Sequence, residues 1–364
     1  MQLMEKLGIQ IPVVQAPMAG ASTTELALAV SAAGGLGSIA CALLTTDGIR
    51  KEFSAFRSQS AAPVNLNFFC HEDLPETIVQ KAQWQERLAG YYTEFSLDAT
   101  SVTSSARRAP FDEEHCALVE ELKPPIVSFH FGLPNPGFVK RVKNAGAILL
   151  SSATTLAEAL WLEENGCDVI IAQGAEAGGH RAVFLENNLS NQPAMLELLE
   201  AVVRKVRVPV IAAGGIADAA GVQAAISRGA AAVQVGTAYL FCPEANVSPL
   251  YLQGLHSDRE TAITNVFTGR PARAILNRFV EEVGPISEMA PVFPFASGLV
   301  APLRQASEKA GSFDFMQMWS GTNRMPHSMD AGSLTRALYH FHRGRYTSNL
   351  DPAPGSLSTR INPE

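Results

Sequence analysis

The sequence has little that would suit a membrane, secreted or nucleic-acid-binding protein. No segment approaches 18 uninterrupted apolar residues, the length that a membrane-spanning helix requires. The formal net charge is -7 and no run of basic residues offsets it, which argues against a nucleic-acid partner held by phosphate contacts. The N-terminal MQLMEKLGIQIP carries charge and a proline where a secretory signal would be apolar. We therefore expect a cytoplasmic protein without a membrane or nucleic-acid partner.

Disulfide, metal-site and hydrolase patterns are also missing. The five cysteines are scattered and form no C-x-x-C pair, so they are predicted to be reduced thiols. His71, His115 and Cys116 have no partners at metal-ligand spacing, and no metal is predicted. The sequence lacks a G-x-S-x-G elbow and a paired-carboxylate signature, which disfavours hydrolases.

What the sequence does contain is an alternation of short apolar runs and helical segments. Hydrophobic residues make up 47% of the 364 residues and charged residues only 17%, enough apolar material for a large core. Short apolar runs of this kind are typical of parallel strands covered by helices on both faces. Eight are present: Pro12–Gln15, Leu36–Ala40, Val64–Phe68, Ile126–Phe131, Ala147–Ser151, Asp168–Gln173, Val208–Ala212 and Ala232–Val235.

This order predicts an α/β fold, a (β/α)8 TIM barrel. Capping signals at Thr155 and Asp218 begin two of the helices between the strands. An open doubly wound sheet also uses βαβ units, but its phosphate-binding glycines follow the first strand. Here glycine loops follow the seventh and eighth strands instead, which favours the barrel.

Two regions interrupt the alternation and suggest a domain division. Residues 1–240 are predicted to form the barrel, with a more polar insertion at about 70–125. Residues 241–364 are predicted to form a smaller, mostly helical substrate domain over the barrel mouth, followed by a loop-rich tail. Within that segment, Ile263–Ile275 is interpreted as helical.

Barrel active sites lie at the C-terminal ends of the strands, and one histidine is prominent there. Gln173-Gly-Ala-Glu-Ala-Gly-Gly-His-Arg181 follows the sixth strand, and its glycines allow the backbone to pass close to a ligand. A neutral imidazole at His180 could take a proton from a substrate carbon or orient an anion. The alternative is a histidine that caps a helix or bonds a carbonyl; its position in a glycine-rich loop at the rim favours a functional role.

Two glycine loops and several amides predict a bound flavin phosphate. Ala212-Ala-Gly-Gly-Ile-Ala-Asp218 and Gln234-Val-Gly-Thr237 follow the last two strands, where phosphate-binding barrels supply backbone N–H groups and a helix N-terminus. Tight helix–strand packing is the other use of such glycines. The amides of Asn67 and Gln173 match the donor and acceptor edges of an isoalloxazine ring. His130 faces either the same cavity or the core.

The strings QAPMAG, GGLGS, NLNFF, SFHFGLP, AQGAEAGGHR, VIAAGGIAD and VQVGTAYLFC occur in order over roughly residues 8 to 275. Together they resemble the class I nitronate monooxygenase (2-nitropropane dioxygenase-like) family. The resemblance implies an FMN-containing barrel that oxidises alkyl nitronates such as propionate 3-nitronate with O2. It implies a catalytic His180, a substrate-binding His130, and backbone contacts from Pro17 and Met18 to the flavin ring. The implied cofactor-binding residues are Asn67, Gln173, Gly178, Gly215, Gln234, Val235, Gly236 and Thr237.

Alternatives stay open at this point. NAD(P)H-dependent FMN reductases of the enoyl-acyl-carrier-protein reductase or quinone reductase type share the barrel and a similar histidine loop. A flavin-free phosphate-binding barrel is disfavoured because no barrel-end Lys is evident. The region Phe293–Leu303 has Phe where relatives are expected to have Tyr, which bears on substrate preference. The sequence leaves a monomer or a homodimer open.

Overall fold

Eight parallel strands form the predicted barrel. The computed structural model describes residues 2–98, 109–186, 189 and 192–346, so the predicted tail beyond residue 347 lies outside it. Every predicted strand is confirmed, with its ends shifted by no more than two residues. The barrel strands are β1 (Val13–Gln15), β2 (Gly37–Ala40), β3 (Val64–Phe69), β4 (Ile126–His130), β5 (Ile148–Ala153), β6 (Val169–Gln173), β8 (Val210–Ala213) and β9 (Ala232–Val235).

The strands are hydrogen-bonded in the order β1-β9-β8-β6-β5-β4-β3-β2. A parallel bridge between Val14 and Leu36 joins the two ends of that order and closes the barrel. A short additional strand, β7 (Gly179–His180), lies outside the barrel in a three-stranded sheet with β10 (Thr261–Thr264) and β11 (Ala272–Ile275), in the order β10-β11-β7. His180, the predicted catalytic residue, therefore lies outside the barrel sheet, in the segment that follows β6.

Helices cover the outside of the barrel and begin at the predicted caps. The Thr155 side chain accepts a hydrogen bond from the Glu158 N–H, and Asp218 caps its helix through the Gly221 N–H at 2.7 Å. The helices are α1 (Gln2–Leu7), α2 (Thr24–Ala32), α3 (Thr46–Arg57), α4 (Ile78–Glu94), α5 (Glu113–Leu122), α6 (Pro136–Asn144), α7 (Leu156–Glu164), α8 (Met195–Val203), α9 (Ala219–Ser227), α10 (Pro249–His256), α11 (Arg278–Val283), α12 (Ala296–Lys309) and α13 (Ala331–Tyr346).

The first helix fills one end of the barrel and leaves the other end for a ligand. Leu3 and Leu7 of α1 are buried in one cluster with the inward-facing apolar side chains of the strands, such as Val14 and Ile171. These side chains form a packed interior rather than a channel. The opposite end, where the strands terminate, has polar and glycine residues in place of large apolar ones.

A second apolar core lies outside the barrel and draws on both irregular regions. Trp84 and Tyr92 of α4, within the insertion, are buried against Phe267, Phe279 and residues of α12. We call the part of the chain that packs around this core the second unit. The insertion contributes the 17-residue helix α4 to it. Helix α13 returns to the barrel, where it packs between α2 and α9. The domain boundary near residue 240 stays a prediction.

The helical interpretation of Ile263–Ile275 is wrong. The segment forms two antiparallel strands, β10 and β11, with Thr264 opposite Ala272. Gly269, at φ +85°, and Pro271 lie between them, and both residues disfavour a helix interior. The β-branched and apolar residues on either side then pair across a turn, and β11 continues the pairing to His180.

Candidate active site

A cavity of about 420 Å³ opens at the C-terminal ends of the barrel strands. This is the end at which TIM barrels carry their active sites, because the loops that follow all eight strands converge there. The strands contribute Asn67, His130, Ser152, Gln173, Ala213 and Gln234 to its wall. Residues from the segment after the last barrel strand close its far side: Tyr251, Arg304, Met316 and Trp319. The cavity thus lies between the barrel end and the segment after residue 240.

The structure brings almost every predicted site residue to this cavity. The lining includes Pro17, Met18, Asn67, His130, Gln173, Gly178, His180, Gly215, Gln234, Gly236 and Thr237. Val235 does not reach it: its side chain is 1% exposed in the barrel core, and its carbonyl accepts the Ala16 N–H at 2.8 Å. Alternation along β9 explains the difference, since consecutive side chains of a strand point to opposite faces.

His180 is held by its backbone and by its ring. In β7 it pairs with Ala272 of β11, so the second unit fixes its main chain. Its Nε2 lies 3.0 Å from the Thr268 hydroxyl. Four aromatic rings surround the imidazole, with centroids 5.3 to 6.3 Å away: Trp319, Phe293, Phe131 and Phe69. The result is a polar ring in an apolar enclosure, where electrostatic interactions are stronger than in water.

The carbonyl of His180 is bound by two of the predicted ligand-contacting residues. The His130 ring nitrogen Nε2 lies 3.1 Å from this oxygen, and the Gln173 amide donates to it at 3.0 Å. Burial, as the largest cause, lowers the pKa of His130 to about 4, so the ring is neutral near pH 7 and carries its proton on Nε2. Both side chains therefore position the histidine loop while they line the cavity.

Arg181, beside the histidine, has a different environment. Its side chain is fully buried, absent from the cavity wall, and donates to the carbonyls of Gly174 at 2.8 Å and Ala177 at 3.2 Å. Burial lowers its pKa to about 9, and the remaining positive charge is satisfied by these carbonyls and by the Gln192 amide oxygen at 2.6 Å. Arg181 therefore stabilises the glycine-rich loop by hydrogen bonds to the carbonyls of that same loop.

The two glycine loops have the geometry of an anion cradle. Gly214 and Gly215 have φ of +116° and +69°, values that residues other than glycine rarely adopt. A Cβ on Gly214 would lie 2.9 Å from the Ala177 nitrogen, so the first glycine loop contacts the loop that carries His180. The N-terminus of α9 and the 3-10 turn Thr237–Phe241 follow the loops and direct N–H groups toward them.

Two further observations test whether a flavin fits this wall. The Gln234 amide oxygen is buried and has no hydrogen-bond partner in the described part of the protein, although it lines the cavity. Buried polar atoms are rarely left unpaired, so this oxygen calls for a donor from a ligand. A Cβ on Gly178 would lie 2.5 Å from the Gly321 nitrogen, so the backbone there approaches more closely than any side chain permits. Amides, glycines and an orphaned acceptor together suit a ring system with both N–H and C=O edges.

Several residues of the site were not predicted from the sequence. Thr268 and Trp319 contact His180, and Arg304 and Glu308 of α12 line the outer wall. All of them come from the segment that the sequence described only as a substrate region. The Gly-Arg-Pro turn at 269–271 was the available signal for the hairpin that carries Thr268. Among the described residues, no group of three or more His, Cys, Asp or Glu side chains is placed to hold a metal ion.

The comparisons with known proteins agree with this geometry. The model of the nitronate monooxygenase family matches residues 1–339. The chain belongs to this family. Nitronate monooxygenases of Paraburkholderia phytofirmans and Pseudomonas aeruginosa are 38% and 36% identical to it, over 92% and 93% of this chain and 91% and 98% of theirs. Family membership makes the chain an oxidoreductase of a flavin-dependent group.

Solved structures place the fold in the same group. Nitroalkane oxidase from Streptomyces ansochromogenes superposes with a TM-score of 0.86 at 34% identity, over 96% of this chain and 99% of that one. FabK from Thermotoga maritima has a TM-score of 0.69 at 24% identity, over 95% and 97%, a likeness that concerns the fold. In the described residues no helix is long and apolar enough to cross a membrane.

Proposed function

We propose that this chain oxidises alkyl nitronates with O2, using FMN held in the cavity at the barrel end. The observation that carries the proposal is the placement of His180, in an aromatic enclosure of the same cavity that the two glycine loops line. A substrate bound against the histidine is then next to a cofactor bound against the loops. The second apolar core, with α4 and α12, acts in this proposal as the substrate domain.

The chain offers separate groups to each part of FMN. The phosphate would be held by backbone N–H groups around Gly215 and Gly236, with the positive end of α9 nearby. The Gln234 oxygen and the Asn67 amide would meet the polar edges of the ring. When bound, the flavin supplies the electron acceptor that the side chains of this cavity do not provide.

Positive charge around His180 supports an anionic substrate. The guanidinium of Arg270 lies 3.9 Å from the centre of the Phe131 ring, which is in turn 6.0 Å from the imidazole. Within the part of the chain that the structure describes, neither Arg270 nor Arg181 forms an ion pair with a carboxylate; Glu158 and Glu176 act on them only at longer range. Neutral oxygens bond both guanidinium groups, but no carboxylate neutralises their charge at short range, so the net positive charge favours a nitronate in the aromatic enclosure.

The remaining polar groups orient that anion. An imidazolium at His180 can donate to a nitronate oxygen through the ring nitrogen that does not face Thr268, and the surrounding rings exclude water from the contact. Because the nitronate is already deprotonated, its oxidation does not require His180 to remove a proton from carbon. Orientation of the anion is the role that the geometry supports best.

An absorbance experiment tests the proposal. Purified protein should show a flavin spectrum, and the cofactor released on denaturation should be FMN. Anaerobic propionate 3-nitronate should bleach that spectrum, and admitted O2 should restore it. His180→Ala should retain the flavin spectrum but slow the bleaching strongly. Absence of any change with nitronate would refute nitronate oxidation, and rapid bleaching by NADH alone would favour a reductase.

A further inference from the structure

The hairpin formed by β10 and β11 makes two contacts with the same residue. Strand β11 pairs with the backbone of His180, and the turn before β11 places the Thr268 hydroxyl 3.0 Å from its Nε2. Thr268 follows β10 and is 88 residues from His180 along the chain. We propose that Thr268 is a positioning residue that fixes the tautomer of His180, with the proton of the neutral ring on Nε2.

The single proton of the threonine hydroxyl determines which ring nitrogen of His180 carries hydrogen. Thr268 Oγ1 donates to the carbonyl of Arg270 at 3.2 Å. A hydroxyl has one hydrogen to donate and two lone pairs that accept. With its hydrogen directed at that carbonyl, the oxygen can only accept from the imidazole, so Nε2 must carry hydrogen. In the neutral ring, Nδ1 is then the nitrogen with the lone pair.

The turn that carries Thr268 is rigid enough to enforce this arrangement. Thr268 is 1% exposed, so bulk water does not compete for the hydroxyl. Asn265 exchanges two hydrogen bonds with the backbone of Ser287, both at 2.9 Å, which anchors the start of the turn. Gly269 has φ +85°, and a Cβ on it would lie 1.9 Å from the Pro291 carbonyl oxygen. Contacts of the turn with Ser287 and Pro291 therefore fix the position of the Thr268 hydroxyl.

The consequence concerns how a substrate anion meets the imidazole. A histidine whose ring is free to exchange tautomers can present either a donor or an acceptor at a given position. With Nε2–H directed at Thr268, the ring plane and the position of Nδ1 are set before any ligand binds. Preorganisation of this kind lowers the cost of reaching the productive geometry.

Nitrogen NMR of the resting enzyme tests the proposal directly. In protein labelled with 15N-histidine, the signals that disappear in His180→Gln belong to residue 180, and in wild type they should show the Nε2–H tautomer. Thr268→Val removes the hydroxyl and keeps the shape, so its His180 signals should shift toward a mixture of tautomers. Thr268→Ser keeps the hydroxyl and should restore the wild-type pattern.

A matched control comes from the same hairpin. Thr264 is also 1% exposed, and its hydroxyl accepts from the Val266 N–H at 3.3 Å. Thr264→Val should leave the His180 signals unchanged. An Nδ1–H tautomer in wild type, or identical His180 signals in wild type and Thr268→Val, would overturn the proposal.

Kinetics provide a second readout that rests on the proposed function. Thr268→Val should lower kcat/KM for a nitronate roughly 3- to 10-fold, the range expected when one neutral hydrogen bond is lost from a positioned catalytic group. Its flavin absorbance should remain at the wild-type level, and Thr268→Ser should recover most of the activity. The NMR result does not depend on substrate, so failure of nitronate turnover would count against the proposed function and leave the tautomer assignment standing.

Discussion

Acidification should destabilise this protein through one residue of the active site, His130. Burial lowers its pKa from 6.5 to about 4, because the ring lies in the cavity wall next to the charges of Arg270 and Arg181. In the unfolded chain the same ring titrates near its usual value. Between pH 6.5 and 4 the unfolded state therefore binds a proton that the folded state does not. Stability is fully present above pH 6.5 and is lost as pH falls through that window.

The size of the effect follows from the two pKa values. With an unfolded pKa of 6.5 and a folded pKa of about 4, the proton-binding difference at pH 5 corresponds to about 2 kcal/mol of lost stability. At pH 7.5 the same term is close to zero. An entropy of unfolding of roughly 2 cal/mol/K per residue converts 2 kcal/mol into about 2 to 3 °C for a chain of 364 residues.

Replacement of His130 by Gln isolates this contribution. The Gln amide can still donate to the His180 carbonyl, which His130 Nε2 meets at 3.1 Å, but it does not titrate. We expect the thermal midpoint of wild type to fall about 2 to 3 °C further than that of His130→Gln between pH 7.5 and pH 5.0. The measurement uses the purified holoenzyme at constant ionic strength. His256→Gln, which removes an exposed imidazole, is the control and should follow wild type. Parallel midpoints for wild type and His130→Gln across this range would refute the argument.

Three substitutions of residues that shape the backbone around the site, with Gly90→Ala on α4 as a control, give further tests. Gly269→Ala should lower the free energy of unfolding by about 3 kcal/mol, since its Cβ would meet the Pro291 carbonyl oxygen at 1.9 Å with φ at +85°. Gly90→Ala has open space around it on α4 and should raise the thermal midpoint slightly. Gly178→Ala should weaken flavin binding in a fluorescence titration, because its Cβ would lie 2.5 Å from the Gly321 nitrogen, and an unchanged dissociation constant would count against the close approach. Arg181→Lys should lower the free energy of unfolding by about 3 kcal/mol, since an ammonium cannot span the carbonyls that the guanidinium binds. A thermal midpoint equal to that of wild type would show that the loop does not depend on these hydrogen bonds.

The barrel was predictable because its signals are local. Each strand is a short apolar run, and Thr155 and Asp218 begin their helices with side-chain caps that act within three residues. Barrel geometry then assigns the strand ends to one rim without knowledge of any long-range contact. The predicted residues on that rim consequently converge, apart from Val235, whose direction follows from strand alternation.

The contacts that organise His180 were not predictable in the same way. Thr268 meets its imidazole across 88 residues, and Trp319 does so from still further along the chain. Such contacts depend on how the second unit folds over the rim, which no local pattern encodes. The alternation between Thr261 and Ile275 was also too short to separate a hairpin from a helix by periodicity alone.

The barrel and the β10–β11 hairpin support different parts of the cavity, so substitutions in one should leave the part supported by the other intact. Gly215 and Gln234 belong to the barrel, whose strands are closed on themselves, so the proposed cofactor wall does not require the hairpin. His180 depends on both units, because Gln173 binds its carbonyl from the barrel and Thr268 binds its ring from the hairpin. A change in the hairpin should consequently impair the histidine before it impairs flavin binding. A change in the glycine loops should show the reverse order, which makes flavin affinity and histidine tautomer two independent measures of one site.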